Sequence, residues 1–141
     1  MEKILVVDDE QGLRDVLSIM LKRAGYAVTV ASDGDEAIAQ VQKEIFDLVI
    51  TDLKMPKMDG LDFLERLMRL RPMPVLMVST LTERGSDITF RALELGAVDF
   101  VSKPKLDIAR GMEEYAIEIT DKIRATAHAQ RGQRRLDQQH G

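Results

Sequence analysis

The stretch Ile4-Leu-Val-Val-Asp-Asp-Glu10 sets four apolar residues in a row directly against three acids. Four residues are too few for a helix but enough for a strand. Unbroken apolar character, rather than alternation, means that both faces of that strand are covered. Strands of this kind belong to parallel sheets, so further runs should recur with helices between them. They do, at Ala27-Val-Thr-Val30, Leu48-Val-Ile-Thr51, Val75-Leu-Met-Val78 and Val98-Asp-Phe-Val101. The second and fifth runs are shorter or more mixed, which places them toward the sheet edges.

Helical spacing fills the gaps between the runs. Leu13, Val16, Leu17, Met20, Leu21 and Ala24 repeat at three and four residues, and Gly25 ends that helix. Ala37, Ile38 and Val41 follow Asp33-Gly34, while Leu61, Leu64, Leu67 and Met68 follow Gly60, with Pro72 beyond the helix end. Ile88, Ala92 and Leu95 predict a fourth helix before Gly96, and Ile108, Met112, Tyr115, Ile119 and Ile123 a long fifth one. The pattern is α/β, five strand–helix units in one domain over residues 1–126, followed by a tail or linker stub over 127–141.

Bulk properties narrow the classes. The 141 residues are 45% apolar and 31% charged, an ordinary globular balance. With no cysteine, neither a disulfide framework nor a thiolate metal site is available. The apolar run at the start is too short for a signal peptide, and a membrane span needs about twenty apolar residues. A cytoplasmic protein without membrane attachment is expected. A net charge of −4 gives no general attraction to nucleic acid, and the four arginines from Arg124 onward are diluted by Ala and Gln.

In an open parallel sheet, ligands bind beyond the carboxyl ends of the strands. The first strand ends in Asp8-Asp9, the third in Asp52 and the fourth in Ser79-Thr80, and the fifth leads into Lys103-Pro104. Singly, each of these has a plain reading as a helix cap or a solvated charge. Caps alone do not require three carboxylates on neighbouring strands. Carboxylates held together raise one another's pKa unless a cation sits among them. All-oxygen ligands suit a hard ion, so Mg2+ is expected, with Mn2+ as an alternative. Such a site suits phosphoryl transfer, with a carboxylate as nucleophile and a lysine and a hydroxyl to hold phosphoryl oxygens.

Four motifs, Ile4-Leu-Val-Val-Asp-Asp-Glu10, Thr51-Asp-Leu-Lys-Met-Pro-Lys-Met-Asp-Gly60, Ser79-Thr80 and Gly96-Ala-Val-Asp-Phe-Val-Ser-Lys-Pro104, resemble the receiver domain of two-component response regulators. The resemblance implies a flavodoxin-like, doubly wound sheet of strand order 2-1-3-4-5 with five helices. It implies Asp52 as phosphoacceptor, and Asp8, Asp9, Asp52 and the backbone carbonyl of Lys54 as metal ligands. Lys103 would pair with the phosphoryl group, and its bond to Pro104 would be cis. Ser79 and Phe100 take the switch positions, with Phe100 rotating into space that Ser79 vacates. Leu81, unable to orient an attacking water, implies slow to moderate self-dephosphorylation.

From Met58 onward, Met58-Asp-Gly-Leu-Asp-Phe-Leu-Glu-Arg-Leu-Met-Arg-Leu-Arg-Pro-Met-Pro74 and Val78-Ser-Thr-Leu-Thr-Glu-Arg-Gly-Ser86 are similar to the receiver of the chemotaxis methylesterase. No G-x-S-x-G elbow follows within the 141 residues, so no esterase activity is carried over. The implied partners are a sensor histidine kinase as phosphodonor and a downstream protein or a covalently linked output domain. The receiver would be either stand-alone or the regulatory part of a longer regulator such as the methylesterase. A monomer is favoured. A rival reading, a phosphohydrolase with an aspartate nucleophile, lacks its usual acid, because Lys54 stands two residues past Asp52.

Overall fold

The computed structural model describes residues 2–53, 58–79, 87–103, 111 and 113–126. Five strands, β1 (Lys3–Val7), β2 (Ala27–Ala31), β3 (Leu48–Asp52), β4 (Val75–Ser79) and β5 (Asp99–Ser102), form one parallel sheet in the order β2-β1-β3-β4-β5. The helices are α1 (Gln11–Arg23), α2 (Gly34–Lys43), α3 (Gly60–Leu70) and α4 (Asp87–Leu95), with α5 over residues 113–126. This is the flavodoxin-like order expected, and the two mixed runs do lie at the edges.

Strand alternation divides the core in two. Ile4, Val6, Ile50, Leu76, Val78 and Val101 point to one face and pack with Leu13, Leu17 and Leu21 of α1 and Tyr115, Ile119 and Ile123 of α5. Leu5, Val7, Val49, Met77 and Phe100 point to the other and meet Ala37 and Val41 of α2, Phe63, Leu64 and Leu67 of α3, and Ala92 of α4. Helices on both faces explain why the strands read as unbroken apolar runs.

Helix ends follow local chemistry. Asp33 and Asp59 cap α2 and α3 by accepting hydrogen bonds from the Glu36 and Leu61 amides. Past Ala24, Gly25 takes φ +99°, the left-handed turn that ends α1 as predicted. The fourth helix departs from expectation. Its buried residues are Thr89 and Ala92, while Ile88 is 40% exposed, and Phe90 and Leu93 also face outward. The sequence spacing therefore mis-phases Ile88, because small Ala92 and the neighbouring Ala97 let α4 sit close on the sheet with few side chains. Ile108 and Met112, predicted for the last helix, lie outside the described residues, as does the 127–141 tail.

Candidate functional site

Register fixes which groups meet at the carboxyl edge. Val7 pairs with Thr51, so the residues that follow, Asp8 and Asp52, are neighbours. Asp52 pairs with Val78, and Ser79 with Ser102, which puts Ser79 one step and Lys103 two steps beyond the acceptor. The Lys103 amide donates to the Ser79 carbonyl at 2.8 Å. Behind Asp52 the chain is held tightly: a Cβ on Gly60 would lie 2.4 Å from the Leu53 carbonyl oxygen and 2.8 Å from that of Asp52. Only glycine lets α3 begin that close to the acceptor's backbone.

The Lys103 ammonium is the hub. It donates to Asp52 Oδ2 at 2.5 Å and Glu10 Oε1 at 2.8 Å, and lies 3.8 Å from Asp8 Oδ1. Burial alone would lower its pKa. The hydrogen bonds to Asp52 and Glu10, with the charges of Asp52 and Asp8, reverse this and hold the ammonium protonated. Asp8 is buried, and burial pushes its carboxyl up to about 6. The Asp52 and Glu10 charges add to that rise, while the Glu10 amide and Lys103 oppose it. Arg14 of α1 secures the same turn by donating to the Asp8 carbonyl at 2.6 Å.

The carboxylates of Asp8, Asp9 and Glu10 each offer an oxygen within 4.8 Å of the others. Two buried oxygens at this edge, Glu10 Oε2 and Ser79 Oγ, accept or donate no hydrogen bond. An all-oxygen donor set on a buried acid whose charged form is disfavoured fits a hard divalent cation.

Asp8, Asp52, Ser79 and Lys103 thus come together as the sequence predicts, with Asp9 exposed beside them. Lys54, Leu81 and Pro104 lie outside the described residues. Phe100 sits on the sheet face that Ser79 shares, opposite Met77, and is already only 9% exposed. Sequence reasoning missed Glu10. It is the last of three acids before α1, was given no role from sequence, and only the fold brings it to Lys103.

The sequence model of the response regulator receiver domain family matches residues 4–115, and the chain belongs to that family. Within it, the chain is 54% identical over 129 residues to the protein-glutamate methylesterase/protein-glutamine glutaminase of Methylobacillus flagellatus, a match covering 90% of this chain. The chain spans 36% of that relative's length. It is similar to the response regulator domain of Thermotoga maritima CheB at 38% identity and a TM-score of 0.78, over 89% of this chain and 95% of that one. The Thermotoga maritima response regulator TrrA, solved in complex with Mg2+-BeF, aligns at 25% identity and a TM-score of 0.70, over 89% and 98% of the two chains. The methylesterase-like character read from Met58 onward agrees with these matches. No helix among the described residues is long and apolar enough to cross a membrane.

Proposed function

We propose that the chain is a phosphorylation switch in which Asp52 accepts a phosphoryl group from a sensor histidine kinase. The observation that carries this reading is the Lys103 ammonium 2.5 Å from Asp52, inside an acidic cluster at the carboxyl edge of the sheet. A carboxylate oxygen of Asp52 attacks phosphorus, the P–N bond of the phosphohistidine breaks, and the leaving imidazole nitrogen takes the electron pair. The product is a mixed anhydride on Asp52. Asp8, Asp9 and Asp52, with the Lys54 carbonyl, would hold a Mg2+ ion, which would supply charge neutralisation for the incoming phosphoryl oxygens.

The chain's own groups do the rest. Lys103 keeps its proton and pairs with a phosphoryl oxygen. Ser79, whose hydroxyl is buried without a partner, gains one by donating to another phosphoryl oxygen. Phe100 is already inward, so it transmits the movement of Ser79 by repacking beside Met77 and not by entering from solvent. Leu81, two residues past Ser79 in sequence, has no group that can orient a water by hydrogen bonding, and slow to moderate hydrolysis is expected.

By kinship with the methylesterases, the output of this cytoplasmic switch is control of a protein-glutamate methylesterase domain. A monomeric receiver suits the pairing of Arg91 with Glu94 at 3.3 Å and of Lys122 with Asp99 at 2.7 Å, which engages the face's charges within one chain.

Intact-mass analysis after incubation with acetyl phosphate and Mg2+ tests the proposal. Wild type is expected to gain one phosphoryl group and Asp52→Asn none. Equal gain in both, or no gain under conditions that label another receiver, overturns it.

A further inference from the structure

We infer that Glu10 is a positioning residue for Lys103 and couples the cation-binding cluster to the ammonium that faces the acceptor. The inference rests on the phosphorylation-switch reading above and goes further, by giving a role to a residue outside the acceptor and its expected metal ligands.

Glu10 occupies the cap position of α1 in extended conformation (φ −91°, ψ 110°), yet its side chain accepts no hydrogen bond from the helix. An acid at that position ordinarily gains from the free amides and the helix dipole. Glu10 instead sends Oε1 across the sheet edge to Lys103 at 2.8 Å, leaving Oε2 buried without a hydrogen-bond partner. Its own amide donates to Asp8 Oδ1 at 2.9 Å, which ties its backbone to the acid pair. The same carboxylate lies in the group formed with Asp8 and Asp9.

Lys103 therefore has two hydrogen-bonded carboxylate partners, and only one of them is the acceptor. To hold a phosphoryl oxygen as well, the ammonium has to loosen one of these bonds, and Glu10 is the partner it can leave without losing Asp52. Glu10, drawn toward a cation at the cluster, shares its charge there and relaxes its hold on Lys103. The resting pair keeps the lysine charged and in place. Loading the cluster frees it.

The test is Glu10→Gln, which keeps shape and removes charge. Two readouts are used: Mg2+ affinity by calorimetry, and the Mg2+-dependent shift of the Lys103 side-chain NMR signal, assigned with Lys103→Arg. Affinity is expected to fall about tenfold, the lower end for partners that orient metal ligands, and the lysine shift to collapse. Glu10→Asp, which keeps the charge, is expected to restore most of the affinity. A loss of thermal stability in Glu10→Gln with both readouts unchanged would mean a merely structural role and overturns the inference. A wild type that binds Mg2+ and is phosphorylated, alongside a variant that matches it, overturns the inference alone. A wild type that neither binds Mg2+ nor gains a phosphoryl group overturns the underlying reading, and the role of Glu10 with it.

Discussion

At the amino end of the sheet, the Lys3 amide donates to Asp47 Oδ2 and the Asp47 amide to the Lys3 carbonyl, both at 2.8 Å, while the Lys3 ammonium meets Glu44 at 2.9 Å. Arg71, just past α3, reaches the last carbonyls of α2, those of Val41 and Glu44, at 3.3 and 3.2 Å. Charges there are in good part exposed and spent on closing helix and strand ends. At the carboxyl end, three carboxylates crowd one part-buried lysine, an acid is pushed up to about 6, and two buried oxygens have no partner. Folding alone gives no reason for the second arrangement. The contrast teaches that the informative feature is an excess of polar groups beyond what the backbone needs, since both ends carry charge.

Substitutions at the two ends should separate them by size. Lys103→Ala removes the only cation that the three acids share among the described residues, and should cost on the order of 3 kcal/mol at pH 8 without Mg2+. Urea titration checks this, and a cost like that of Lys3→Ala would erase the contrast. Gly60→Ala forces a Cβ against backbone oxygens that cannot yield, with an expected loss of about 2 kcal/mol. Gly12→Ala in α1, where nothing lies within 4 Å, should instead be neutral or stabilising in the same titration.

Asp8→Asn should move stability the other way. The folded carboxyl titrates near 6 against 3.8 unfolded, so the native state holds a proton that the unfolded chain releases between those values. Stability of the Mg2+-free wild type therefore falls as pH rises through that window and stays reduced above it. At pH 8 the variant should gain on the order of 2 kcal/mol while losing Mg2+ affinity. A wild type whose stability rises between pH 4 and 6 relative to the variant would contradict the sign. At the quiet end, Arg71→Ala should cost about 1 kcal/mol and fray α2, read by amide exchange at its last turn. Lys3→Ala should cost less than about 1 kcal/mol.

The sheet was legible because its strands are covered on both faces, and Ile4 to Val7, Leu48 to Ile50 and Val75 to Val78 carry that fact as unbroken apolar runs. The acceptor edge was legible because Asp52 and Ser79 close their strands and Asp8 and Lys103 directly follow theirs. Two things were not. Ile88 has helical spacing but faces outward, since a helix seated on alanines buries Thr89 in its place. Glu10 looks local in sequence, and its partner is set by a register that only the folded sheet fixes. The inward position of Phe100 also had no signal, because an edge-strand aromatic can face either way.

The central claim is that Asp52 carries the phosphoryl group, and hydride reduction of the phosphorylated protein followed by peptide mapping tests it most directly. Reduction converts an aspartyl phosphate to homoserine and marks the acceptor. The account predicts homoserine at position 52 alone, dependent on both acetyl phosphate and Mg2+. Homoserine at position 8, 9 or 59, or none in a protein whose mass has risen by a phosphoryl group, would contradict it.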